Sequence, residues 1–264
     1  MPIRYFLYFL LISNLSFSQK LSFIYETKFR YNSEKPNDYY EKNMLLEIDN
    51  NQSIFRDLDD KKIDSLQINN GRGMTKLGVE NNYYVKKDFQ SDSVDKIITY
   101  LGVNYLLPID EKLQWIIKPE KTKLGKYAVQ KAETKYGGRD WTAWFTTDLA
   151  FNDGPYIFHG LPGLIVSIQD SKNDFYFNLI QVKKYEDLFD ARTKTVKIDW
   201  KKYESLAKSY YNDPYDLLSK AGRKVTMTGP NGNVMDINEV AKEVQNDILQ
   251  ENNPIELNHK INYK

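Results

Sequence analysis

His159 and His259 are the only imidazoles in the 264-residue chain, and cysteine is absent. Disulfides, thiol nucleophiles, thiolate metal sites and a lipidated N-terminal cysteine are therefore excluded. Zinc needs three or four clustered ligands, usually His or Cys, and the two histidines lie far apart in sequence. No metal or cofactor site is expected. His159 beside an acid and a hydroxyl would imitate a hydrolase triad, but no G-x-S-x-G elbow accompanies it. A lone His among aromatics reads more simply as a packing or hydrogen-bonding residue. Arg139 follows two glycines. Its planar fork suits Asp148, Asp153 or a ligand carboxylate, with a structural salt bridge the simpler reading. Trp115 and Trp144 could line an apolar cavity, although alternating aromatics on strands usually face a core. Arg139, Trp144, His159 and Trp115 form the candidate ligand-binding set. No catalytic set emerges.

Three other clusters carry less. Asp57, Asp59, Asp60 and Asp64 fall in one polar stretch, but the turn glycine and closing bidentate Glu of a calcium loop are missing. They read as a solvated charge run. Gly71-Arg72-Gly73 and Gly229-Pro230-Asn231-Gly232 read as turns, because neither has the strand–glycine–Lys context of a phosphate loop. With 37 basic and 36 acidic residues, the chain lacks the cationic excess on which nucleic-acid affinity rests. No nucleic-acid partner is expected.

The elements that must position these residues are mostly strands. In residues 21–31, Leu21, Phe23, Tyr25, Thr27, Phe29 and Tyr31 fall on one face and Ser22, Glu26, Lys28 and Arg30 on the other, the period of a half-buried strand. Further strands are expected at 39–48, 51–56, 83–89, 96–107, 113–118, 126–135 and 141–147. A hairpin is expected from 164–169 and 175–183. The polar stretch 57–82 reads as a long loop. The last quarter turns helical, over about 199–250. Asp199 caps a helix interrupted at Asp213-Pro214, and Asp236 with Glu239 opens another over 237–250. The fold class is mainly β (α+β): a curved antiparallel sheet or half-barrel with C-terminal helices packed against it.

Arg4, the apolar run from Tyr5 to Phe17 and Ser16-Phe17-Ser18 follow the order of a secretory signal peptide. A membrane anchor is the alternative, but the run is shorter than the roughly 20 residues a spanning helix needs. Residues 1–18 are expected to be removed before Gln19. That leaves a single domain, 19–264, with no transmembrane segment, in the periplasm or at the outer-membrane periphery and not lipidated.

Gly160-Leu161-Pro162-Gly163-Leu164-Ile165 spells the string that names the GLPGLI family of Gram-negative envelope proteins, which this sequence resembles. Gly125-Lys126-Tyr127, Gln130-Lys131-Ala132, Gly138-Arg139, Ala143-Trp144-Phe145, Gly154-Pro155, Phe158 and the ending 252–257 also resemble that family's pattern. Val129 and Ala150 depart from it, where the family often has cysteine and proline. The resemblance implies an exported protein of undefined activity, sometimes encoded near outer-membrane transporters, with no catalytic residues to carry over. Physically, Leu161-Pro162-Gly163-Leu164 suits a type II turn, with Gly163 at positive φ. Gly163→Asn should then be gentler than Gly163→Val. Gly154-Pro155 is a second backbone constraint, and together the two aim Leu164–Gln169 into the sheet.

The hairpin at 164–183 is similar to the matching region of half-barrel lipoprotein carriers. The leading functional reading is therefore an exported binding or accessory protein, holding a hydrophobic ligand such as a lipid or peptide, or acting beside an outer-membrane transporter. The alternative is an envelope interaction or assembly factor with a filled core; a hydrolase comes third. An apolar cavity walled by Phe29, Trp115 and Trp144 would mark the first, and a core filled by the chain's own side chains the second.

Overall fold

The computed structural model describes residues 20–70, 79, 82–184, 189–215, 227–228 and 232–263. The expected leader, the Gly71-Arg72-Gly73 turn and nearly all of the helical piece beyond Pro214 lie outside these residues.

The first run of strands is β1 (Leu21–Phe29), β2 (Tyr40–Asp49), β3 (Gln52–Asp57), β4 (Val85–Asp88), β5 (Ser93–Tyr100) and β6 (Val103–Pro108), with helix α1 (Leu58–Asn70) between β3 and β4. The second run is β7 (Ile116–Leu124), β8 (Tyr127–Tyr136), β9 (Arg139–Thr146), β10 (Leu164–Asp170) and β11 (Phe175–Lys184). After β12 (Val196–Lys197) come α2 (Trp200–Asn212), the short pair β13 (Met227–Thr228) and β14 (Val234–Met235), and α3 (Ile237–Gln250). Twelve strands make one open curved sheet in the order β12-β6-β5-β4-β3-β2-β1-β11-β10-β9-β8-β7, with three helices packed against it. The two antiparallel meanders join where β1 pairs with β11, and β12 alone runs parallel to its neighbour β6. No helix among the described residues is long and apolar enough to cross a membrane.

Alternation sets the faces. Phe23 and Tyr25 of β1 lie opposite Leu46 and Met44 of β2, and Phe55 of β3 lies opposite Val85 of β4. These residues point to one face, here called inner, and pack with Trp141, Ala143 and Phe145 of β9 in the main core. A second sector of the inner face carries Ile98, Tyr100 and Leu107, covered by Ala207 and Tyr210 of α2 and Ile248 of α3. α2 begins at Asp199, whose carboxylate accepts from Lys202 N–H at 2.7 Å, and ends at Asp213 before Pro214. α3 begins at Asp236, which accepts from Asn238 N–H at 2.8 Å.

Two expectations are corrected. Residues 58–70 are helical, where the polar stretch reads as loop. α1 has no apolar stripe; it presents Asp60 and Asp64, one turn apart and almost fully buried, to the outer face of β2–β4. Those two carboxylates are paired rather than solvated. The run 96–107 is two strands, β5 and β6, joined by a tight turn in which Leu101 (φ 51°) and Gly102 (φ 81°) both sit at positive φ. Leucine is rare in that conformation, so Gly102 is the sole turn signal there and is a weak one by itself.

Candidate functional site

The segment between β9 and β10 carries the GLPGLI string, and it lies across the inner face. Tyr156, Ile157, Phe158 and Leu161 are all buried in the main core. Phe158 sits 4.6 Å from the Trp141 ring and 5.9 Å from Tyr136, centroid to centroid. Polar ties hold the segment down. Lys87 of β4, fully buried, donates to Asp153 and, at 2.7 Å, to Gly154 C=O. Tyr25 donates to Ile165 C=O at 2.7 Å, and Trp115 Nε1 to His159 C=O at 2.8 Å. Burial pushes the Lys87 amine downward, against the pull of Asp153.

Gly163 takes positive φ (154°) as expected, but in a different turn and under a second constraint. Leu161 C=O accepts from Gly163 N–H at 2.8 Å, a bond spanning two residues, while Leu164 N–H donates to Leu149. This is a tighter turn than type II. A Cβ on Gly163 would stand 2.1 Å from Thr146 C=O oxygen, so the glycine is required by close backbone approach. Gly154 likewise faces Ile165 at 2.8 Å.

Arg139 opens β9 after the Gly137-Gly138 turn, where both glycines take positive φ. Its Nε donates to Ile255 C=O at 3.0 Å. Nη1 reaches Asp170 and Asp174, each at 3.0 Å, and Nη2 reaches Asn253 Oδ1 at 2.6 Å and Pro254 C=O at 2.7 Å. These bonds occupy the whole donor set of a guanidinium. Arg139 ties the 170–174 hairpin turn to the C-terminal segment. Its carboxylate partners are Asp170 and Asp174, not Asp148 or Asp153, and no N–H is left for a ligand. Burial raises the Asp174 carboxyl, but bonds from Asn253, Arg139 and Arg30 outweigh it and hold it below the usual range.

The two inner sectors meet at Glu256. Its carboxylate accepts from Tyr136 Oη at 2.8 Å, from Tyr156 Oη, and from Lys96 Nζ at 3.2 Å. Burial pushes this carboxyl up, yet the Lys96 ammonium and the two hydroxyls together keep it below the ordinary value. Tyr156 holds this contact at φ 55°, an uncommon backbone state for a bulky side chain. Beside Glu256, a cavity of about 310 Å³ opens between β5, α2 and the C-terminal segment. Asn82, Tyr83, Lys96, Trp200, Tyr203 and His259 are among its walls. The His259 ring stacks on Trp200 at 3.8 Å with the planes 4° apart.

The expected site residues are thus dispersed. Trp115 and His159 meet through one hydrogen bond at the edge of the main core. His159 is half-buried; burial and the nearby Lys87 cation lower its pKa, against the bond of its Nδ1 to Ile157 C=O at 2.8 Å. Trp144 lies opposite Lys131 and Ser167 on the outer face, half-buried and away from the core residues Trp141 and Phe145. None of Arg139, Trp115, Trp144 and His159 lines the Glu256 cavity. Sequence reasoning passed over Glu256, Lys96, Asn82 and Trp200. The ending 252–257 was the available signal for the first, as part of the family pattern. Among the described residues, no group of His, Asp and Glu is placed to hold a metal ion.

Solved structures share a fold of this kind. Two crystal forms of PNGF-II, in space groups P21 and C2, each superpose with a TM-score of 0.53, at 16% and 15% identity. Each similarity covers 72% of this chain and 33% of PNGF-II, so the chain matches about a third of that protein's length. At this identity the likeness is one of fold. Residues 137–167 match the model of a family described as protein of unknown function (Porph_ging). That stretch contains the Gly137-Gly138 turn, Arg139, β9, the core-filling segment and Gly163. The GLPGLI assignment itself stays a resemblance. No curated protein sequence matches the chain.

Proposed function

We propose that this chain is an exported, non-catalytic interaction or assembly module of the cell envelope. The observation that supports this most is the filling of the inner face. Tyr156, Ile157, Phe158 and Leu161 fill the inner face, which a carrier would need open for an acyl chain, and each is at most 1% exposed. Phe29, named as a cavity wall in the carrier reading, is fully buried in the same cluster. Lys87, Tyr25 and Trp115 anchor the filling segment by hydrogen bonds, so its removal would leave several buried polar groups unpaired. Export rests on the N-terminal charge, apolar run and Ser-x-Ser site. The match to one third of PNGF-II fits a fold that also occurs as one part of a larger chain.

Native mass spectrometry of the protein purified from its own envelope tests this reading. The expected result is a polypeptide mass beginning at Gln19, free of lipid and recovered with a protein partner at fixed stoichiometry. A stoichiometric lipid adduct would overturn it in favour of the carrier.

A further inference from the structure

We propose that the cavity beside Glu256 is a binding site for a small ligand that joins a flat aromatic body to a carboxylate or carbonyl oxygen. Asn82 is the residue that points to such a ligand. It lines the cavity and is only 5% exposed. Asn82 Oδ1 accepts from Tyr84 N–H at 3.3 Å, which fixes which end of the amide is the donor. Nδ2 then has no hydrogen-bond partner among the described residues. Buried donors are nearly always satisfied, so this one calls for an acceptor supplied from outside.

The rest of the cavity narrows the chemistry. Glu256 already accepts from Tyr136, Tyr156 and Lys96, so its oxygens are engaged and a cationic ligand gains little there. Lys96 is paired with Glu256, and Lys260 is offset by Glu251 in the same lining, so the charges balance and Asn82 Nδ2 sets the preference for an oxygen acceptor. Tyr31, Tyr83, Trp200 and Tyr203 supply aromatic walls. At about 310 Å³, the space is at the small end of ligand pockets and suits one ring with a short polar arm, not an acyl chain. A free aromatic acid and the C-terminal aromatic residue of a peptide present the same groups. The inference stands independently of the interaction-module reading.

The full mature protein is titrated with N-acetyl-L-tyrosine, N-acetyl-L-tyrosinamide, tyramine and a short peptide ending in tyrosine, followed by two-dimensional NMR. The acceptor-bearing probes are expected to shift the Asn82 side-chain amide and the Trp200 indole signal saturably, and tyramine to leave both in place. Tighter binding of the peptide would assign the ligand to a chain terminus, and binding of the free acid alone to a small metabolite; either supports the site. Asn82→Ala should weaken binding by about tenfold, the scale of one lost hydrogen bond. Asn82→Asp keeps the acceptor for Tyr84 N–H but replaces the donor, and should reverse the preference towards tyramine. No saturable shift with any probe, shifts remote from Asn82 and Trp200, or an unchanged preference in Asn82→Asp would overturn the proposal.

Discussion

The inner and outer faces of the sheet are buried by a different balance of chemistry, mostly apolar inside despite the Lys87–Asp153 and Lys96–Glu256 pairs. On the inner face, the segment around Phe158 packs aromatic and aliphatic side chains against Trp141, Tyr136 and Phe145. On the outer face of β2–β4, α1 and the residues around Arg192 are held by ions. Glu47 accepts from Arg56 and, at 2.6 Å, from Lys61. Arg192 reaches Asp64 at 3.0 Å and Asp60 at 3.2 Å, with its guanidinium 4.2 Å from the Tyr84 ring centre. Glu47 and Arg56 are both fully buried. Apolar burial favours the folded state directly, whereas buried ions must first repay the loss of hydration. The inner face therefore carries stability, and the outer face specifies where one helix docks.

Truncation separates the two most sharply. Phe158→Ala should destabilise by about 3–5 kcal/mol, through lost burial and the cavity left behind, read from denaturant midpoints. A loss below about 1 kcal/mol would mean that the segment is not seated as described.

The outer face should respond differently to single and paired changes. Arg56→Leu alone leaves Glu47 buried with Lys61 as its one remaining cation among the described residues, and should cost about 3–5 kcal/mol. Adding Glu47→Leu removes the orphaned charge and should recover most of that loss. If the double variant is as unstable as the sum of the two singles, the ion pair contributes stability in its own right and the contrast fails.

Gly163 tests how tightly the core-filling segment meets β9. Gly163→Ala should cost about 1–3 kcal/mol by overpacking against Thr146 C=O. Gly163→Asn should be no gentler, since the contact adds to the positive φ, and a φ of 154° lies outside the left-handed well that asparagine tolerates. An asparagine variant near wild-type stability would restore the type II turn.

The same contrast explains what was legible in the sequence. Apolar alternation located β1, β9 and the β10–β11 hairpin, and the side chains of Asp199 and Asp236 marked the starts of α2 and α3. α1 was invisible because its buried face is acidic, so periodicity in hydrophobicity says nothing of it. The turn at Leu101-Gly102 hid behind a residue that seldom takes positive φ. Arg139 was recognisable as a salt-bridge former, but Asp170, Asp174 and the 253–255 carbonyls become its partners only through the tertiary fold. Glu256 was harder still: its tyrosine donors stand 100 and 120 residues away in sequence. No local spacing records them.

A smaller effect concerns pH. Burial and Lys87 depress His159 below 6.5, so as pH falls the unfolded chain takes up that proton before the folded one. The His159 contribution is full above the unfolded value and is lost as pH falls through the depressed folded value. His159→Gln should flatten the stability difference between about pH 7.5 and about pH 5.5. Identical pH slopes in denaturant midpoints would place the imidazole in solvent.

The filled inner face can be tested directly because the chain has no cysteine, so an introduced thiol is the sole one to report. Leu161→Cys puts it in the core-filling segment at a buried position, and Lys172→Cys puts it on the exposed hairpin turn as a reference. In native buffer, Lys172→Cys should react with a thiol reagent at once. Leu161→Cys should react only as fast as the protein unfolds, and should accelerate with denaturant in step with global unfolding. Prompt labelling of Leu161→Cys in a folded protein would show that the segment leaves the inner face open, contradicting the filled sheet and the interaction-module reading built on it.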